Sequence, residues 1–147
     1  MDIYCVERNE ITKRLGRNVK LHEIASSCRQ FETTKAVHLP FKTTCVWNDL
    51  AGYEDTYWNG VLGYQELTME GVEKWYWKLN AMLHNEQILM SQLGNTIHEY
   101  AFDYREVLEE LLLSFEGFLK SEVFKKSRFI IVNLCEKAER KASIDWW

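Results

Sequence analysis

Proline and glycine are scarce in this chain of 147 residues, which contains one Pro and seven Gly. Long helices with few interruptions explain such a shortage, because both residue types weaken or break helices. The length suits one ordinary domain, and no repeat, low-complexity tract or linker divides the sequence. We therefore expect a single domain over residues 1–147 that is mainly helical.

Long apolar runs and an export signal are missing as well. No stretch approaches the roughly 20 apolar residues that cross a bilayer. Asp2 and Glu7 lie where a secretory signal needs a basic start and an apolar run. We expect a cytoplasmic protein with no membrane segment. In a reducing cytosol the scattered cysteines are most simply buried thiols, although their even number permits two disulfides. They are Cys5, Cys28, Cys45 and Cys135.

Catalytic and metal-binding motifs do not stand out. The glycines near residue 60 are spaced as turns and lack the lysine of a phosphate-binding loop. No Glu has a His three residues later, as a helical di-iron site requires. One group of side chains could form a metal or acid–base site if two neighbouring helices folded together: His84, Glu86, His98 and Glu99. The prediction is a protein without enzyme activity, cofactor or metal.

Charge is distributed unevenly along the chain. Lys and Arg outnumber Asp and Glu by 8 to 5 in residues 1–45 and by 6 to 3 in residues 125–147, whereas acids outnumber bases by 14 to 4 in residues 46–124. An acidic middle between basic ends gives a dipolar surface if the fold keeps them apart. Such a field speeds encounter with a cationic protein, while the net charge of −4 disfavours nucleic-acid binding.

The stretch of residues 46–66 combines acidic residues with many aromatics and contains no Lys or Arg. Large rigid aromatics beside uncompensated carboxylates are typical of surfaces that bind a basic partner. The predicted partner-binding residues are Asp49, Tyr53, Glu54, Asp55, Tyr57, Trp58 and Glu66. The alternative is structural, with Trp47 and Trp58 in the core and the tyrosines half buried.

Two long helices are predicted from apolar spacing. Asp103 can cap the first one, and Glu106 completes a capping box. Its apolar stripe consists of Tyr104, Val107, Leu108, Leu111, Leu112, Phe115, Phe118 and Leu119. Four glutamates lie away from this stripe and place negative charge on a solvent-facing side: Glu106, Glu109, Glu110 and Glu116.

The second long helix follows Thr68 and ends at Gly94. Three apolar residues, Trp77, Ala81 and Ile88, project on a different side from its main stripe, so the helix is either central or covered by a partner. Glu86 falls within the main stripe, and we expect it to pair with a Lys, Arg or His.

Shorter elements are predicted before residue 50. Asn18 can cap a helix that runs through Ile24 and Phe31, and alternating apolar residues over 36–47 predict a strand that Pro40 restricts to a sheet edge. Candidate partner strands are residues 3–6 and 128–134, although the latter also fits a helix. The expected fold is a mainly α single-domain helical bundle with two long helices, possibly with a small β-sheet, and an α+β fold is the alternative.

The run HLPFKTTCVWNDLAGYEDTYWNGVL resembles a short stretch in certain immunity proteins of bacterial contact-dependent toxin systems, where Leu-Pro is followed by Trp, an acidic residue, Tyr and Trp. The matching positions are Leu39, Pro40, Trp47, Asp49, Tyr53 and Trp58. The resemblance implies a class and not a fold, because the downstream sequence departs from that pattern. The class consists of small cytosolic inhibitors that neutralise a basic toxin, often a nuclease, by covering its active site.

These observations favour a non-enzymatic acidic binding protein that inhibits a basic partner protein, such as an immunity protein for a toxin or nuclease. A phage-type inhibitor of a host defence complex would have the same sequence features. A second alternative is a small helical ligand-binding domain or enzyme, with a cavity lined by Trp75, Tyr76 and Glu86 and joined by His98. A third is a regulator that touches nucleic acid through the basic segment around Lys13, where the spacing is similar to a helix-turn-helix.

Overall fold

The computed structural model describes residues 1–51, 57–59 and 62–133. These ranges contain six α-helices and a sheet of five strands, with more residues in helices than in strands. The helices are α1 Arg8–Leu15, α2 Leu21–Ser27, α3 Phe41–Ala51, α4 Met69–His84, α5 Glu86–Leu93 and α6 Tyr104–Lys120. The strands are β1 Asp2–Glu7, β2 Lys35–His38, β3 Tyr57–Asn59, β4 Leu62–Leu67 and β5 Ser127–Asn133. The arrangement is α+β, which was the alternative to the predicted helical bundle.

The sheet is antiparallel throughout, with strand order β2-β1-β5-β4-β3. Ile3 pairs with Val37 on one side and with Ile131 on the other, so the N-terminal strand is interior. Both predicted partner segments, residues 3–6 and 128–134, therefore contribute strands within the described ranges. The helical reading of residues 128–133 was wrong, because the apolar run of β5 is buried on both faces of the sheet and shows no helical period.

Helices cover both faces of the sheet. One face packs Ile3, Cys5, Phe129 and Ile131 against residues of α3, α4, α5 and α6, which we name the α3–α6 layer. The opposite face packs Tyr4, Val6, Ile130 and Val132 against α1, α2 and the turn after α2, which we name the α1–α2 layer. A sheet between two helical layers buries strands on both sides, and this explains why the fold is not a helical bundle.

The predicted strand over residues 36–47 is correct only at its start. β2 ends at His38, and α3 begins directly after Pro40, whose carbonyl accepts a hydrogen bond from the Thr43 amide at 2.9 Å. Proline suits the start of a helix, since its missing amide would have no helical partner there. Residues 43–48 are all buried, so α3 has no polar side from which a helical period could be read.

The helix predicted from Thr68 to Gly94 is divided at Asn85. This residue has an extended backbone (φ −143°, ψ 110°), and its side chain accepts hydrogen bonds from the amides of Gln87 and Ile88. Asparagine competes well for such amides and so favours helix starts over helix interiors. The break turns Glu86 out of the apolar stripe into solvent. There it pairs with Arg105 (Nη2–Oε2 2.8 Å), which confirms the predicted pairing with a cation.

Several local predictions are confirmed. Asp103 caps α6 through a hydrogen bond from the Arg105 amide at 3.0 Å, and the predicted apolar stripe of α6 faces the core. Cys5, Cys28 and Cys45 are buried, whereas Cys135 lies outside the described residues. The predicted cap Asn18 is wrong: α2 begins at Leu21, where the Glu23 carboxylate instead accepts a hydrogen bond from the Lys20 amide.

Candidate functional site

The predicted acidic and aromatic partner-binding residues fall into three groups. Asp49 and Glu66 have described side chains. Tyr57 and Trp58 belong to β3, where the backbone register places Tyr57 opposite Tyr64. Tyr53, Glu54 and Asp55 lie outside the described residues. The structure therefore locates the side chains of Asp49 and Glu66, which are the first and last residues of the predicted surface.

Asp49 lies near the end of α3 and takes part in a structural contact. Its Oδ2 accepts a hydrogen bond of 2.6 Å from the Tyr100 hydroxyl, and Tyr100 stacks on Phe102 with ring centroids 5.1 Å apart. The carboxylate thus fixes the end of α3 to the segment that precedes α6. Replacing Asp49 would disturb this contact as well as any partner, so it is a poor probe of binding.

Glu66 is compensated by a cation of its own chain. The Arg128 guanidinium donates from Nε to Oε1 and from Nη2 to Oε2, the latter at 2.5 Å, and the two side chains are 28% and 23% exposed. The neighbouring residue Gln65 accepts a hydrogen bond from Trp47 of α3. Because side chains alternate along a strand, Glu66 lies on the α1–α2 face, away from Asp49. The structure does not bring these two predicted carboxylates together.

The sheet separates charges of opposite sign. Residues 8–30, which form the α1–α2 layer, include six Lys and Arg against two Asp and Glu. Residues 69–120, which contain α4, α5 and α6, include four Lys and Arg against nine Asp and Glu. The fold therefore converts the uneven charge of the sequence into two sides of opposite sign, which is the condition for a dipolar surface.

Ion pairs within the chain compensate only some of these acids. Glu86 pairs with Arg105, Glu116 with Lys120, and Glu106 with Lys42 at 3.7 Å. Hydrogen bonding to Glu116 raises the pKa of Lys120, and hydrogen bonding to Glu86 raises that of Arg105, so both cations stay charged. Glu73 on α4 and Glu109 on α6 are exposed, and neither forms an ion pair with any residue of the described ranges.

Two large apolar side chains, one on α4 and one on α6, are open to solvent. Trp77 of α4 is 60% exposed and Leu113 of α6 is 67% exposed. Each lies two residues from a fully buried leucine, Leu79 or Leu111, and a rotation of about 200° turns it away from the core. A glutamate precedes each of them by one helical turn, Glu73 before Trp77 and Glu109 before Leu113.

This acidic and apolar pattern on α4 and α6, which we name the outer helix face, was only partly visible in the sequence. Trp77 was recognised as lying off the main stripe, and Glu109 as lying on a solvent side. Leu113 was missed because leucine is abundant throughout α6. Its position relative to Leu111 and Leu112 is the signal that distinguishes it, since it falls opposite the centre of the buried stripe.

Residues of the other predicted sites make contacts within the chain. Trp75 packs on Trp47 with ring centroids 4.8 Å apart, and Glu86 is bound to Arg105. His84 hydrogen-bonds the Asn80 carbonyl at 2.7 Å. Among the described residues, no three His, Cys, Asp or Glu side chains lie close enough to hold a metal ion.

An acid–base pair occurs instead at the edge of the sheet. His38 Nδ1 lies 2.8 Å from Asp2 Oδ1, and the Tyr4 ring meets the imidazole edge to face at 6.5 Å. The His38 side chain is 69% exposed, so the pair fixes the orientation of the imidazole on an open surface. Sequence inspection missed this pair, because its members lie 36 residues apart and meet only through β1–β2 pairing.

No family model, curated protein or solved structure matches the chain. None of the helices in the described ranges combines the length and the apolar character needed to cross a bilayer.

Proposed function

We propose that this protein is a non-enzymatic acidic binding protein that inhibits a basic partner protein, in the manner of an immunity protein for a toxin or nuclease. The observation that carries the proposal is the outer helix face, where exposed Trp77 and Leu113 each follow an exposed glutamate that has no ion pair within the described residues. Exposed large apolar groups rimmed by charge mark interaction surfaces more often than isolated ones do.

The roles of the four residues follow from their chemistry. Trp77 and Leu113 would be buried by the partner, and tryptophan is among the residues that most often dominate binding energy. Glu73 and Glu109 would attract the partner during encounter and lie at the polar rim afterwards. The basic α1–α2 layer on the other side of the sheet would orient the molecule so that its acidic side meets the partner first.

A nuclease is a suitable partner because its active site is cationic in order to hold phosphates. A carboxylate-rich surface can bind in that active site and exclude the substrate. Tyr53, Glu54, Asp55, Tyr57 and Trp58 remain proposed contacts of the same kind, on the segment that follows α3. Asp49 and Glu66 are better regarded as supports, since each is already bonded within the chain.

The test is a binding measurement on the full chain. The partner is captured from the source cell, purified, and its association rate is measured as salt increases. We expect Trp77→Ala to weaken binding by about 2 kcal/mol or more, and Glu73→Gln with Glu109→Gln to lower mainly the association rate.

The matched control for the glutamate pair is Glu32→Gln together with Glu99→Gln, which changes net charge equally at two exposed positions outside the outer helix face. If the control pair lowers the rate as much as the test pair, net charge and not this surface governs binding. An association rate that does not respond to salt would contradict the proposal. The identity of the captured protein distinguishes a toxin from a subunit of a defence complex.

A further inference from the structure

A cavity of about 470 Å³ lies at the end of the sheet where β1 and β4 finish and β5 begins. Glu7 pairs with Ser127 in the β1–β5 register, so Arg8 at the start of α1 comes next to the first residue of β5. α4 also begins there, directly after β4 and its capping residue Thr68. The residues that line this cavity and matter here are Arg8, Glu66, Glu70, Ser127 and Arg128.

The cavity wall carries two arginines and two glutamates, and only one pair is compensated. Arg128 and Glu66 neutralise each other through two hydrogen bonds. The side chains of Arg8 and Glu70 are exposed and make no ion pair or hydrogen bond with the described residues. One cation and one anion are therefore available to a molecule inside the cavity, while the wall has no net formal charge.

Ser127 supplies a second and independent observation. The residue is only 7% exposed, it lines the cavity, and its hydroxyl has no hydrogen-bond partner among the described residues. This hydroxyl is therefore available to donate a hydrogen bond to a molecule in the cavity. In addition, the side chain of Glu7 does not cap the first turn of α1, so this positive helix end lacks a side-chain acceptor.

We propose that this cavity binds a small zwitterion of the amino-acid class. Its carboxylate would contact Arg8, the Ser127 hydroxyl and the first turn of α1, and its ammonium group would contact Glu70. The volume falls within the range of small-molecule sites. A phosphate dianion would meet Glu70 as a like charge, and a simple cation would leave Arg8 and Ser127 without a partner, so a ligand with both charges fits best.

The test measures binding to the full chain by calorimetry and by amide chemical shifts. The probes are L-alanine and L-leucine at about 10 mM, which suits millimolar affinity, with sodium acetate, methylammonium chloride and inorganic phosphate for comparison. We expect an amino acid to bind and to shift the amides of Arg8, Glu70 and Ser127. Arg8→Gln and Glu70→Gln should each weaken this binding by about tenfold, the effect of losing one charged hydrogen bond.

Matched controls are Lys13→Gln and Glu99→Gln, which remove exposed charges outside the cavity that form no ion pair with the described residues. The cavity variants should keep the native circular dichroism spectrum, because Arg8 and Glu70 side chains support no internal contact. Failure of both amino acids to bind, equal binding of acetate or phosphate alone, or equal losses in the control variants would each overturn the proposal. The outcome is independent of the outer helix face, since that surface contributes no residue to the cavity.

Discussion

The α3–α6 layer and the α1–α2 layer cover the same sheet but are built differently. The α3–α6 layer buries large aromatic residues such as Trp47 and Phe115 and carries most of the negative charge. The α1–α2 layer buries mainly aliphatic residues such as Ile11 and Ile24 under two short helices and is basic. The acidic side therefore has the deeper core, and it also exposes Trp77 and Leu113. Four predictions test this difference.

The largest effect is expected in the deeper layer. Trp47 is 1% exposed, contacts Trp75 and Phe115, and donates a buried hydrogen bond of 2.7 Å to Gln65. Trp47→Ala should lower the free energy of unfolding by about 3–5 kcal/mol, measured by urea denaturation. Ile24→Ala in the other layer should cost closer to about 2 kcal/mol, because two short helices can collapse onto the gap. Equal losses would mean that the layers are equally deep.

A moderate effect is expected from the ion pair on the α1–α2 face. Arg128→Met leaves the Glu66 carboxylate partly buried without its cation, and should cost about 1–2 kcal/mol, between the values for exposed and buried pairs. Adding Glu66→Gln should recover part of that loss. A double-mutant cycle measures the coupling, and a coupling near zero would show that the pair contributes nothing to this layer.

A smaller, pH-dependent effect is expected at Glu10. Its carboxylate accepts hydrogen bonds from the Thr33 hydroxyl and amide and from the Glu32 amide, and these lower its pKa. A lowered folded pKa gives stability that is fully present above the usual glutamate pKa of about 4.3 and is lost as pH falls through the folded value. Glu10→Gln should therefore flatten the stability profile below about pH 5, measured by urea denaturation at several pH values, and an unchanged profile would contradict this role of Glu10.

The smallest expected difference between the two layers is in the rate at which their buried thiols are labelled. Burial raises the pKa of Cys5 to about 12, so this thiol stays protonated near pH 8. In a Cys135→Ser variant, the folded chain should react slowly with iodoacetamide. We expect the α1–α2 layer to open first, so Cys28 should be labelled before Cys5 and Cys45. Peptide mass spectrometry reads the order, and simultaneous labelling would contradict layered opening.

The predictions that succeeded rest on strong local signals. α6 has an apolar stripe at a constant period and a capping aspartate, so its start and its buried side follow from the sequence. β1 was recognised as a candidate strand because it is a short apolar run. α3 failed for the opposite reason, since its residues 43–48 are buried all round the helix and carry no period that could distinguish them from a strand.

The candidate site was predictable only in its chemical character. Acidic and aromatic residues are the proposed binding groups, but Glu66 is compensated by Arg128, which lies 62 residues away in the sequence. No local pattern reports such a pairing, because it depends on the order of strands in the sheet. The cavity lined by Arg8, Glu70 and Ser127 was missed for the same reason, as its walls come from three distant segments.

The sequence by itself determined the composition of the molecule: the long helices, the apolar residues that form the core, and the acidic middle between basic ends. The tertiary structure decided which charges remain available and which side they occupy, because pairing β5 between β1 and β4 creates two faces and joins Arg128 to Glu66. Helix periods arise from neighbours along the chain, whereas compensation of charge depends on distances in space, and only the packed sheet fixes those distances.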